Sequence, residues 1–149
     1  MLKILLVLTF TLTGCFSPPT LPKAHDFQKS WTIPSTFDQT WSATVELFAE
    51  RGWHIDTLEK DSGIIGTDWL TIGRQSAFAD CGTPGLLYPL RREVKFNVFV
   101  LSVATGHSLT VNTRFRELRM FNSQRTYHDC TSTGQLETEI YEQILAKVR

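Results

Sequence analysis

The sequence lacks any apolar run long enough to cross a bilayer as a helix, which takes about 20 residues. Its N-terminal apolar stretch, Ile4 to Leu12, stops well short of that. It also lacks a charge excess, with 15 Lys and Arg against 15 Asp and Glu. That balance gives no overall reason to expect a nucleic-acid partner. The motifs that carry chemistry are missing too: there is no Gly-x-Ser-x-Gly elbow, phosphate-binding glycine loop, His-Glu-x-x-His helix or paired-Cys zinc pattern. Only three cysteines occur. His128, Asp129 and Cys130 adjoin, but no second ligand pair stands at metal-site spacing, so no metal is expected. A chain of 149 residues suffices for one ordinary core. The expectation is a single domain that is not an enzyme.

What is present begins with Met1 to Cys15. Lys3, a short apolar core and small residues before Cys15 read as a secretory leader rather than a span. Leu12-Thr13-Gly14-Cys15 resembles the lipobox of bacterial lipoproteins: an aliphatic residue, two small ones, then Cys. The resemblance implies that the Cys15 thiol receives a diacylglycerol, that residues 1–14 are removed, and that the freed amine is acylated. No other cofactor is expected. Small Thr13 and Gly14 suit an extended backbone in a peptidase cleft, and the thiol is the lipid acceptor. Each buried acyl CH₂ contributes roughly 0.8 kcal/mol, and two or more chains hold a protein stably at a membrane. Under enterobacteria-like sorting, Asp after the Cys retains a lipoprotein at the inner membrane. Phe16 and Ser17 therefore imply the periplasmic face of the outer membrane, with the inner membrane as the alternative. The competing reading is an ordinary signal peptide with a chance Cys.

If Cys15 carries lipid, Cys81 and Cys130 remain, and an even pair in an oxidising periplasm suggests a disulfide. A Cys–His reading of Cys130 with His128 competes with it. Charge is unevenly spread. Residues 26–68 carry eight acids against Lys29, Arg51 and Lys60, whereas residues 74–125 carry eight bases against Asp80, Glu93 and Glu117. Either the two sets pair within the fold, or a basic face meets an anionic partner.

Residues 15–30, with Pro18, Pro19 and Pro22, read as an extended, flexible, lipidated tether, leaving 31–149 as the globular domain. Trp31-Thr32-Ile33 suits a first strand. Ser35, with Asp38 three residues on, suits a helix start. Phe37, Trp41, Val45, Phe48 and Ala49 make one apolar stripe, and Gly52 ends the helix. Residues 53–59 and 64–71 read as a hairpin, with His54 on its polar side. Residues 73–90, punctuated by glycine and proline, form a long connection. Arg92 to Val103 and Leu109 to Arg116 alternate as a second hairpin. Asn122 to Asp129 reads as a polar connection. Ser132, with Gln135, caps a last helix carrying Leu136, Ile140, Ile144 and Val148.

The order is β-α-β₄-α, an α+β domain with an antiparallel sheet and both helices on one face. Phe37 and Trp41, then Gly52-Trp53, then Ser62 to Trp69 are similar to one unit of the TATA-binding-protein-like and helix-grip folds. Among lipoproteins they resemble the domains of the BamC family of the outer-membrane barrel-assembly machine. The resemblance covers residues 31–71 and implies a fold. Two groups are candidate contact surfaces: Lys95, Arg114 and Arg116 on the wetter face of the second hairpin, and Phe78, Leu86, Leu87 and Tyr88 in the long connection. Solvated strand residues and a loop capping the core are the plainer readings of each. Three functions follow in order: a non-enzymatic envelope lipoprotein scaffolding an envelope protein or anionic cell-wall component, a carrier gripping a small apolar ligand between sheet and helices, and a hydrolase with an unrecognised site.

Overall fold

The computed structural model describes residues 18–103 and 106–149. The leader, Cys15, Phe16 and Ser17 lie outside the described residues. Among the described residues, no helix is long and apolar enough to cross a membrane.

Two long strands dominate, β6 (Tyr88–Val103) and β7 (Gly106–Phe121), paired antiparallel along nearly their whole length. Each alternates apolar and polar side chains, which a two-faced sheet requires. Val94, Phe96, Val98 and Val100 lie opposite Phe115, Thr113, Val111 and Leu109 and form the buried face. Around this pair the sheet runs β2-β3-β6-β7-β8-β5, with β1 (Ser30–Ile33) on β7 and β4 (Leu70–Ile72) on β6. The remaining strands are β2 (Ile55–Glu59), β3 (Ile64–Thr67), β5 (Ala79–Asp80) and β8 (Gln124–Ser132).

The fold is α+β and sheet-dominated, but the expected β-α-β₄-α order is not found: among the described residues seven strands separate the helices. Asp68-Trp69 breaks the anticipated second hairpin strand into β3 and β4, both still paired to β6. The larger departure is β8. Asn122 and Ser123 adopt positive φ (45° and 68°), the backbone twist that closes a tight hairpin. β7 therefore continues to Phe121 and folds back into β8, where a polar connection was expected.

Helix α1 (Phe37–Glu50) is capped one residue later than expected. Thr36 accepts from the Gln39 amide, and the Gln39 side chain returns to the Thr36 amide. Its buried face is broader than the predicted stripe. Thr40 and Thr44 are fully buried because their hydroxyls bond carbonyls four residues back, while Ala49 is exposed. Gly52 (φ +64°) ends the helix, with the Trp53 amide donating to the Phe48 carbonyl. In α2 (Gln135–Val148) the N-cap is Gly134 rather than Ser132. The Ser132 hydroxyl accepts from the Gly134 amide and also pairs with buried Glu137, which receives Thr113 at 2.6 Å. Both helices contribute to one core with the buried sheet face: Trp41, Leu47 and Phe48 from α1, Leu136, Ile140 and Ile144 from α2.

Residues 18–29, expected to belong to a free tether, run extended along the domain as a strap. Thr20 and Thr83 exchange backbone and side-chain hydrogen bonds. The Lys23 amide donates to Asp80, the Thr131 hydroxyl to the Lys23 carbonyl, and the Val111 amide to the Lys29 carbonyl. Gly82 (φ +64°) lets the strap pass, since a Cβ there would collide with the Thr20 carbonyl.

Candidate functional site

The cysteine pair is joined. Cys81 and Cys130 form a disulfide that closes a sequence separation of 49 residues and ties the connection after β5 to strand β8. Neither sulfur is a free thiol, so the Cys130–His128 nucleophile reading falls. Among the described residues, no group of three His, Cys, Asp or Glu is arranged to hold a metal ion.

Lys95, Arg114 and Arg116 do share a face, the one opposite the helices, because Lys95 sits across from Arg114 in the β6–β7 register and Arg116 follows two residues on in β7, across from Glu93. The face is not simply basic. Lys95 stands 3.9 Å from both Asp56 and Asp68. Arg116 donates from Nε to Glu93 at 2.7 Å. Its guanidinium lies 3.7 Å from the Trp69 ring centre and 3.9 Å from that of Tyr127, clamped between two aromatic faces. Arg91 completes the cluster, meeting Glu93 at 2.6 Å and the Tyr127 hydroxyl at 2.9 Å. The Tyr127 hydroxyl, then the Glu93 charge, hold the Arg91 guanidinium above its ordinary pKa. Glu93 is buried beneath these groups. On this face only Lys95 joins the basic stretch to the acidic one, while Arg91 and Arg116 pair with Glu93 of their own stretch, and Arg114 is the member left exposed without a carboxylate among the described residues.

Sequence reasoning missed Trp69 and Tyr127. Tyr127 sits opposite Leu118 on β8, so it joins this face only because that strand exists. The alternation of Arg125, Tyr127 and Asp129 with Thr126, His128 and Cys130 was the available signal.

The apolar group of the long connection divides. Phe78 is half-buried against the core. With Trp53, Leu70, Ile72 and Leu136 it lines a cleft of about 310 Å³ between the end of α1, β4 and the start of α2. Leu86 and Leu87 instead face outward with Pro19, Pro84 and Phe121 around an apolar hollow of about 280 Å³, and Tyr88 beside them is also exposed. Pro19 belongs to the strap and Phe121 to the β7–β8 turn, neither of which sequence reasoning placed here.

Between these regions a buried charge network holds the connection down. Glu117 accepts from Arg92 Nε at 3.0 Å and from Arg119 Nε at 2.6 Å. The same guanidinium groups donate to the Ser76, Ala79 and Cys81 carbonyls. Asp80 accepts from the Gly82 amide at 2.7 Å and the Lys23 amide at 3.2 Å, with His25 at 3.6 Å. Chiefly through the Gly82 amide, then Lys23 and His25, these donors hold its carboxyl below its ordinary pKa.

Comparison finds no match to any protein-family model and none among curated proteins.

Proposed function

We propose that this chain is a lipid-anchored envelope protein of the periplasmic face of the outer membrane, non-enzymatic, that holds an envelope partner on the open face of its sheet. The observation that carries the reading is the fully formed face opposite the helices. It presents Arg114 beside an aromatic-clamped Arg116, with Trp69 and Tyr127 supplying rigid contact area. Arg and aromatic side chains of this kind concentrate binding energy at protein interfaces. The lipobox Leu12 to Cys15 supports the anchor. The Cys81–Cys130 disulfide supports an oxidising compartment. The partner is an envelope protein, with an anionic cell-wall component as the other candidate, and the inner membrane is the alternative site.

The test is affinity capture from detergent-solubilised envelopes with three chains: native, Cys15→Ala and Arg114→Glu. Intact-mass measurement of the native chain should show a cleaved, acylated product. A specific component should be enriched by the native chain and lost with Arg114→Glu. An unmodified Cys15 refutes the anchor. Equal capture by native and Arg114→Glu chains refutes the assigned face.

A second reading, a carrier of a small apolar ligand, is favoured by the 310 Å³ cleft lined by Trp53, Leu70 and Phe78. It requires a lipid to co-purify and to depart when Leu136→Trp fills the cleft. A ligand-free native chain speaks against it.

A further inference from the structure

We propose that the end of the domain formed by Leu86, Leu87, Tyr88, Phe121 and Pro19 seats in the interface of a phospholipid bilayer. The inference rests on the anchored reading above and adds an orientation to it. The end is apolar and open: Leu86 is 68% exposed, Tyr88 56% and Phe121 47%. The apolar hollow between Leu86, Leu87 and Phe121 is closed on one side by Pro19.

The course of the chain says what covers this surface. The strap is hydrogen-bonded to the same end through Thr20 and Thr83, and the Thr83 hydroxyl donates to the Pro18 carbonyl. Cys15 stands three residues before Pro18, a reach of at most about 10 Å. A lipid on Cys15 therefore holds this end within about 10 Å of the bilayer. A long free tether would have left the orientation open, and the docked strap removes that freedom.

Charge agrees. Arg91 and Arg125 flank this end, the first opposite Leu118 in β7 and the second opposite Met120. Arg74 reaches the same end, donating to the Tyr88 hydroxyl and the Pro89 carbonyl. Arg74 and Arg125 are exposed. Exposed leucines and aromatics beside the exposed Arg74 and Arg125 suit an anionic interface. Exposed apolar residues at the far end of the same hairpin, Leu101 and Val103, have no such setting. They lie about 40 Å away along β6.

The experiment uses the full acylated chain in vesicles of phosphatidylethanolamine and phosphatidylglycerol whose acyl chains carry bromine, a contact quencher of tryptophan. Phe121→Trp and Leu86→Trp are independent reporters at the proposed end, and Leu101→Trp reports the far end. Both proximal reporters should lose most of their added emission, and the distal one none. Exchanging phosphatidylglycerol for phosphatidylcholine should weaken the quenching, and insensitivity to that exchange overturns the part assigned to Arg74 and Arg125. A chain that floats with the vesicles but whose proximal tryptophans stay bright overturns the orientation and leaves the anchor standing. Bright proximal tryptophans whose emission shifts to the blue with protein concentration give the surface to a second copy instead. A chain that is not acylated and does not float ends the anchored reading and this one together.

Discussion

Glu117 is the residue whose loss should be felt most. It is 2% exposed and sits between two guanidinium groups, Arg92 at 3.0 Å and Arg119 at 2.6 Å. The side chain of Arg119 is 7% exposed and that of Arg92 15%, so neither can turn to water without moving the connection above it. Glu117→Gln keeps the shape and removes the charge, leaving two buried cations facing a neutral amide. Breaking a buried pair in this way costs about 3–5 kcal/mol, mostly the penalty of the uncompensated charge. An unfolding entropy near 2.1 cal/mol/K per residue over roughly 130 residues makes that a fall in Tm of about 11–18 °C. The assay is urea and thermal unfolding of Glu117→Gln, Arg119→Met and the double variant. Removing Arg119 as well takes away one of the orphaned charges, so the double variant should be less damaged than the sum of the singles. A loss under about 1 kcal/mol for Glu117→Gln, typical of an exposed pair, would refute the reasoning. So would strict additivity of the two substitutions.

Three further outcomes follow from the same structure. Cys81→Ser with Cys130→Ser opens a loop of 49 residues. The loop-closure account puts the loss at about 4 kcal/mol, measurable as a lower urea midpoint; an unchanged midpoint would contradict it. Because the Asp80 carboxyl is held below its ordinary pKa, the stability it lends the strap is complete above about pH 4 and fades as pH falls through the depressed folded value. The Gly82 amide resonance should titrate with that lowered midpoint and stop doing so in Asp80→Asn. Gly82→Ala must overcome both the positive φ and the Thr20 carbonyl. Hydrogen exchange at the amides of Thr20 and Thr83 should therefore accelerate while β6 and β7 stay protected, and equal exchange with the native chain would show that the strap does not depend on this crossing.

Much of the architecture was legible because alternation and helical periodicity are local. Val94 to Val100 and Leu109 to Phe115 declare a two-faced hairpin, and Leu136, Ile140 and Ile144 declare a one-faced helix, wherever the rest of the chain goes. The position of Lys95, Arg114 and Arg116 on the outer face follows from that same alternation. The sequence by itself also determined the turn residues at Gly52 and the paired cysteines left once Cys15 is set aside.

Other features were decided only when distant segments met. Strand β8 is mostly polar and exposed, so burial leaves little pattern on it, and it exists because β7 offers a free edge from Phe115 onward. The buried Thr40 and Thr44 look like surface residues until their hydroxyls find carbonyls in their own helix. Glu93 falls on the polar phase of its strand and Glu117 lies past the expected end of the hairpin, yet both are buried, each against an arginine of the neighbouring strand. The apolar end needs Pro19, Leu86 and Phe121 together, three segments separated by dozens of residues. Periodicity records which face of an element is apolar. It does not record which partner will cover a polar group or join an exposed one, because that depends on contacts formed only after the chain has closed on itself.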